Sequence, residues 1–200
     1  MAGIIVQLPL PAYLNQQTVL DAINPDLDVD CLGSVQSEKF YQNKNELGFP
    51  TALACLAILD SRKLDLEKKK IVVLGQGKLV GKPTTALLRF RGLNPTIITS
   101  KTENREKLIK EADIIISGIG KGKYITGDMI KKGAIVIDAG TSESRKQPAE
   151  GRVNIVGDVD LESVKNIAGF VSPVPGGVGP VTVAMLLKNV LNVAKNMYNK

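Results

Sequence analysis

Two hundred residues, 44% of them apolar, are enough for one large domain, or one domain with a small companion, around a real core. No apolar run approaches the roughly 20 residues of a membrane span, and the opening MAGIIVQLPLP lacks the basic start and small-residue cleavage site of a secretory signal. The complete absence of histidine rules out histidine bases, Ser-His-Asp triads and histidine-held metal ions, so no metal centre is expected.

Cys31 and Cys55 are too few for a disulfide framework, which fits a reducing cytoplasm. The net charge of +6 admits a nucleic-acid surface or a protein that meets small anionic ligands. The lysines at 68–70, 121, 123, 131 and 132 are scattered and have no interleaved aromatics. The second reading is preferred, with neither nucleic acid nor membrane as a partner.

In chain order, GIIVQL (3–8) reads as a strand stopped by PLP, followed by a short helix near Gln17–Ile23 and a turn-rich stretch to about residue 50. KIVVL (70–74) is a strand leading to a helix from Lys82 to Arg91. PTIIT (95–99) is the next strand, then a charged helix near Glu103–Glu111, then DIIIS (113–117). GAIVIDAG (133–140) and VNIVG (153–157) complete the strands. Short continuous apolar runs alternating with helices predict an α/β fold with a parallel, Rossmann-like sheet covered on both faces. The last segment is an amphipathic helix with Val183, Leu186, Val190, Val193 and Met197 at three- and four-residue spacing. Its natural burial partner is the first fifty residues. The expected division is residues 61–171 as the Rossmann-like unit, and residues 1–60 with 172–200 as a second α/β lobe completed by the C-terminal helix.

Three segments carry chemistry. VLGQGKLVGKP (73–83) places Gly75, Gly77 and Gly81 between a strand and a helix, a relaxed dinucleotide-binding turn; the alternative is a plain tight turn. The second strand then ends in Ser100, Lys101 and Thr102 with no acid before Glu103, which favours the 2′-phosphate of NADP over the free hydroxyl of NAD. SPVPGGVGPVTVAML (172–186) puts Gly176, Gly177 and Gly179 between Pro175 and Pro180. Such a loop can lay backbone against a flat ligand, where a simple helix cap would need one glycine. In GIIVQLPLP (3–11) and DLDVDCLGS (26–34), Gln7 and Asp30 would singly be capping or surface residues; beside the glycine loop they mark a candidate pocket.

Taken together and in this order, GIIVQLPLP, ITGDMIKKGAIVIDAG (125–140), GDVD (157–160) and PVPGGVGP (173–180) resemble the methylenetetrahydrofolate dehydrogenase/cyclohydrolase family, from Gly3 to the last helix. The resemblance implies an enzyme that passes hydride from 5,10-methylenetetrahydrofolate to NADP and then hydrolyses the methenyl product to 10-formyltetrahydrofolate. It implies a folate site at Val6, Gln7, Leu8 and Asp30, bordered by Pro175, Gly176, Gly177, Val178, Gly179 and Thr182, with Gln7 and Asp30 catalytic. It also implies cofactor contacts at Gly75, Gln76, Gly77, Ser100 and Thr141, and a homodimer. Lys101 and Thr102 join the cofactor set through the strand-end reading.

The chain departs from the family pattern at several positions. Gln76 and Gly77 stand where the family has Arg and Ser, Cys31 replaces a glycine, and FPTALA (49–54) replaces the helix start PCTPxG. The family's Tyr-x-x-x-Lys segment lies upstream of VQLPLP, and none of Tyr13, Tyr41, Tyr124 or Tyr198 is followed by lysine at that spacing. The expectation is therefore an N-terminally shortened member with weakened catalysis. The alternative is a non-catalytic dinucleotide-binding module derived from the same family.

Overall fold

The computed structural model describes residues 1–44, 46–143 and 155–198. Its centre is a five-stranded, wholly parallel sheet: β1 (Ile71–Leu74), β2 (Thr96–Ile98), β3 (Ile114–Ser117), β4 (Ile135–Asp138) and a short strand at Phe170–Val171, in the order β2, β1, β3, β4, then the 170–171 strand. Every residue of β1 and of β3 is buried. That is why these strands read as unbroken apolar runs: helices cover both sides, so there is no solvent face to alternate with.

Alternate residues of one strand serve opposite faces. Val72, Ile115 and Val136 enter one core with Ile109, Ile125, Ile130 and Val164. Ile71, Val73, Ile114, Ile116 and Ile137 enter the other. That second core is roofed by α3 (Pro50–Asp60), α4 (Gly81–Phe90) and the first turn of the long C-terminal helix, Val178–Tyr198. Each fully buried Ile or Val contributes about 1.5–3 kcal/mol relative to exposure.

Ahead of the sheet lie α1 (Gln16–Asp21) and α2 (Ser34–Tyr41). Asn15 caps α1 by accepting from Thr18 N, and Pro50 sits in the first turn of α3, where its missing N–H is no loss. A third core gathers Val29, Cys31, Phe40, Leu47, Phe49, Ala52 and Val193, with Phe40 edge-on to Phe49 at 5.0 Å. The C-terminal helix packs chiefly along α3 and, through Leu186, Val190 and Val193, also against the first fifty residues. Asn189, 1% exposed, donates from Nδ2 to Val29 O at 2.8 Å and to Gly48 O at 2.7 Å.

Several expectations need correction. Residues 3–8 form no regular strand; Ile4 makes one parallel bridge to Asp28, because no neighbouring segment among the described residues extends the pairing. The run 153–157 does not join the main sheet. Residues 153 and 154 lie outside the described residues, and Ile155–Val156 pairs antiparallel with Ser142–Glu143 in a separate two-stranded ribbon. The fifth sheet strand is Phe170–Val171, too short to carry a periodic signal. On the C-terminal helix the buried line runs through Val178, Asn189 and Val193, with Leu186 and Val190 packed beside it. Val183 and Met197 are exposed, as are Leu187 and Leu191. Of the expected stripe, Leu186, Val190 and Val193 lie on the contact face and the two end residues do not; the buried polar Asn189 is the member that hydrophobic period could not mark. Among the described residues no helix is long and apolar enough to cross a membrane.

Candidate functional site

In a sheet of this order, ligands bind beyond the carboxyl ends of the strands, at the point between β1 and β3 where the strand order reverses. A cavity of about 340 Å³ opens there, lined by Gly75, Gln76 and Gly77 after β1, Thr99 and Ser100 after β2, and Gly118, Ile119 and Lys121 after β3. Its narrowness is built by glycine. Gly75 has φ +85°, a left-handed conformation that side chains resist. A Cβ on Gly81 would overlap the Gly75 carbonyl, so the start of α4 seats directly on the loop; a Cβ on Gly118 would strike Val80. No side chain caps α4; Lys82 N donates to Gly77 O at 3.2 Å, Thr84 N donates to Val80 O at 2.9 Å and Pro83 has no N–H, so among the described residues the Gly81 N–H is the one donor its first turn leaves for an incoming phosphate. These residues fit a dinucleotide.

Two buried aspartates hold the loops around this crevice. Asp158, with no exposed surface, accepts from Ser117 Oγ at 2.7 Å, Ile119 N at 2.8 Å and Lys121 N at 2.8 Å. Asp138 accepts from Gly140 N at 2.9 Å, Asp158 N at 3.0 Å and Val159 N at 2.9 Å. Burial pushes Asp138 up to about 6; the Asp158 charge adds to this, while the three backbone donors oppose it.

Asp138 also lines a second cavity of about 490 Å³, with Ala139 to Thr141 on one side and the Pro173–Pro180 loop and Thr182 on the other. Next to it, a cavity of about 210 Å³ is lined by Val6, Gln7, Leu8, Asp30, Thr51, Leu79 and Thr182. Thr51, Leu79 and Thr182 belong to both walls, so the two cavities are neighbours across those side chains. The Leu8–Pro9 and Val174–Pro175 peptides, one from each wall, are cis. Asp30 is pushed up to about 6, first by burial and then by the nearby Asp28 carboxylate. It therefore sits near half-protonation at mildly acidic pH. Gln7 donates from Nε2 to Leu8 O at 3.1 Å, which leaves its amide oxygen turned to acceptance. A further cavity of about 470 Å³ shares Leu8, Leu32, Phe49 and Leu79 with this wall and carries Lys78 and Lys82.

The sequence-expected residues thus fall into three groups. Val6, Gln7, Leu8 and Asp30 converge on one wall; Pro175 to Gly179, Thr182 and Thr141 converge on the next. Gly75, Gln76, Gly77 and Ser100 line the crevice. Thr141 stands apart from that last group, and Lys101 and Thr102 lie in the turn beside the crevice rather than in its wall. Thr102 Oγ1 accepts from Thr99 N at 2.9 Å and closes that turn. Sequence reasoning missed Arg105, Lys121 and Tyr124 in the crevice, and the roles of Asp138 and Asp158. The one available signal for the aspartates was an acid at the end of an otherwise apolar run, IVIDAG, and another in GDVD.

Cys31, where a glycine was the family expectation, has φ +58° and is fully buried. The left-handed backbone explains the glycine preference at that position.

Residues 50–198 match the family profile described as tetrahydrofolate dehydrogenase/cyclohydrolase, NAD(P)-binding domain. Among curated proteins, the bifunctional protein FolD of Thermodesulfovibrio yellowstonii is 45% identical over 199 residues, covering 96% of this chain and 65% of that protein. The Staphylococcus aureus FolD of strain bovine RF122 is 40% identical over 195 residues, covering 98% and 66%. A crystal structure of the Trypanosoma brucei methylenetetrahydrofolate dehydrogenase-cyclohydrolase with NADP cofactor and inhibitor superposes with a TM-score of 0.92 at 34% identity, covering all of this chain and 68% of that one. A methylenetetrahydrofolate dehydrogenase from the silkworm Bombyx mori gives 0.89 at 37%, covering 100% and 69%. The chain spans about two thirds of the length of the curated relatives it matches.

Proposed function

Because the chain belongs to the tetrahydrofolate dehydrogenase/cyclohydrolase family, we propose that it binds NADP in the crevice at the β1–β3 switch point and a folate in the adjoining cavities. There it serves slow oxidation of 5,10-methylenetetrahydrofolate, while hydrolysis of the methenyl product by this chain alone stays at the uncatalysed rate. The observation that carries this reading is the common wall of Thr51, Leu79 and Thr182, which joins the Gln7–Asp30 cavity to the one bordered by Asp138, Thr141 and the Pro175 loop. In this reading residues 61–171 carry the dinucleotide, and residues 1–60 with 172–200 carry the folate.

NADP, when bound, supplies the hydride acceptor. The protein's part in that step is to hold donor and acceptor carbons in line and to exclude water, which is alignment rather than proton transfer. The Asp30 carboxyl suits the ring N–H groups of a pterin, and a protonation equilibrium near 6 lets it either accept or donate. The Gln7 amide oxygen can accept from a cation or a ring N–H. Ring opening also needs a group that moves protons, typically worth about 10² to 10⁴ in rate. Among the described residues no lysine lines either folate-side cavity, and the chain has no histidine. The same observation favours the second reading, a dinucleotide-binding module without catalysis.

A homodimer, implied by the family resemblance, and a cytoplasmic location, suited to the two buried free cysteines, complete the proposal. The test is direct. NADPH and NADH are titrated by their fluorescence, and methenyltetrahydrofolate absorbance is followed with this chain alone and with the relatives' additional segment fused ahead of it. NADP preference, slow dehydrogenation by the chain alone and hydrolysis at the buffer rate are expected, with both activities rising in the fusion. Fast hydrolysis by the chain alone would place the proton-transfer group elsewhere. No binding of either nucleotide would refute the reading.

A further inference from the structure

Gln76 stands in the crevice wall where the family pattern has an arginine, and the structure turns its amide inward. Both hydrogens of its amide are committed: Nε2 donates to Gly75 O at 2.8 Å and to Thr85 Oγ1 at 3.1 Å. The strand-end cation, Lys101, lies outside the crevice wall, and Thr102 closes its own turn. If the crevice takes NADP, as the proposed function holds, its phosphate needs another partner.

We infer that Arg105 is that partner and that, with Ser100, it sets the preference for NADP over NAD. Both line the crevice, Ser100 just past the end of β2 and Arg105 at the start of the helix Arg105–Glu111 that follows it. In a doubly wound fold the cofactor's adenosine ribose lies at the end of the second strand, where an acid would hold the 2′-hydroxyl and a nearby arginine accommodates a 2′-phosphate. Among the described residues no Asp or Glu lines this crevice. Arg105 is exposed and, among the described residues, takes part in none of the ion pairs. Its planar fork can therefore meet phosphate oxygens two at a time without first giving up a carboxylate. The other cation of the wall, Lys121, follows β3 on the opposite side, with Nζ 5.8 Å from the Tyr124 ring centroid. The strand order places it away from the β2 end.

The experiment uses the full chain and two pairs of probes that differ only in the phosphate: NADP against NAD, and 2′,5′-ADP against 5′-AMP. Isothermal titration is run on the wild type, Arg105→Ala, Arg105→Lys and Lys101→Ala. Arg105→Ala is expected to cut the preference for the 2′-phosphorylated member of each pair by about tenfold or more, with NAD and 5′-AMP affinities unchanged within about twofold. Arg105→Lys keeps a point charge but not the fork, so part of the preference survives. Lys101→Ala leaves the preference in place. An unchanged ratio in Arg105→Ala, or collapse of the ratio in Lys101→Ala, overturns the inference while leaving NADP binding intact. Equal loss of NADP and NAD in Arg105→Ala also overturns it, since it marks a structural role. A wild type that binds no nucleotide removes both the inference and the function on which it rests.

Discussion

Replacing Asp158 with asparagine tests whether a buried carboxylate holds the nucleotide crevice open in its binding shape. Asp158 is completely buried and gathers three donors: the Ser117 hydroxyl, and the backbone N–H groups of Ile119 and Lys121 in the loop after β3. Hydrogen bonds to a charged acceptor are each worth about 1.5–3 kcal/mol net. Asparagine keeps the shape and one acceptor oxygen, but its NH2 group must face at least one of the N–H donors, so one bond becomes a donor–donor contact and the others lose their charge assistance. The net cost is about 2–4 kcal/mol. In a protein of this size that corresponds to a drop in Tm of about 4–16 °C. Because Ile119 and Lys121 line the crevice, dinucleotide affinity falls as well, at a temperature where the variant is still folded. Circular-dichroism melts with a parallel NADPH titration at 20 °C measure both. A Tm within 2 °C of wild type together with unchanged affinity would refute the claim that this carboxylate organises the loop.

Other expectations follow from the same geometry. Asp30 and Asp138 each sit near 6 in the folded protein, above the ordinary value of 3.8. The folded state thus holds protons that the unfolded chain has released, and these groups favour folding most below about pH 4, less as pH rises to about 6, and are level above that. Asp30→Asn removes its share of that fall and, discounted for partial solvent screening, stabilises by about 1–2 kcal/mol at pH 7.5 while weakening folate binding; urea melts at pH 5 and 7.5 with the same gain at both would contradict this. Asn189→Leu leaves the carbonyls of Val29 and Gly48 buried without their donor, a loss of about 2–5 kcal/mol; a change below 0.5 kcal/mol in equilibrium unfolding would show that water replaces the amide. Gly81→Ala forces α4 away from the Gly75 carbonyl and costs about 2–3 kcal/mol plus nucleotide binding, whereas Gly77→Ala, with nothing within 4 Å of the added Cβ, leaves stability nearly unchanged. Equal melts for the two alanine variants would dismiss close packing as the reason for a glycine at 81.

The parallel sheet was legible because burial on both faces leaves a local trace: IVVL, DIIIS and AIVID are apolar without alternation, and each is bounded by glycine or charge. The glycine loop after β1 was legible for a similar reason, since the backbone conformation at Gly75 and the close approach at Gly81 leave room for no other residue. Gln7, Asp30 and the Pro175 loop were marked by residue type and resemblance. Their convergence, from positions more than 140 residues apart, depends on the C-terminal helix docking along α3 and against the first fifty residues. Asn189 holds that docking through two carbonyls far away in the chain, so a reading based on hydrophobic period alone found Leu186, Val190 and Val193 but added the exposed Val183 and Met197 and passed over the asparagine. Likewise, composition could count the cations after β2 but not orient them. Whether Lys101 or Arg105 faces the crevice depends on the turn that Thr102 closes and on the helix that follows. Period, turn chemistry and buried runs are properties of neighbouring residues and survive in the sequence. The direction of a long side chain and the partner of a buried polar group are set by residues distant in the chain, and only the tertiary structure decides them.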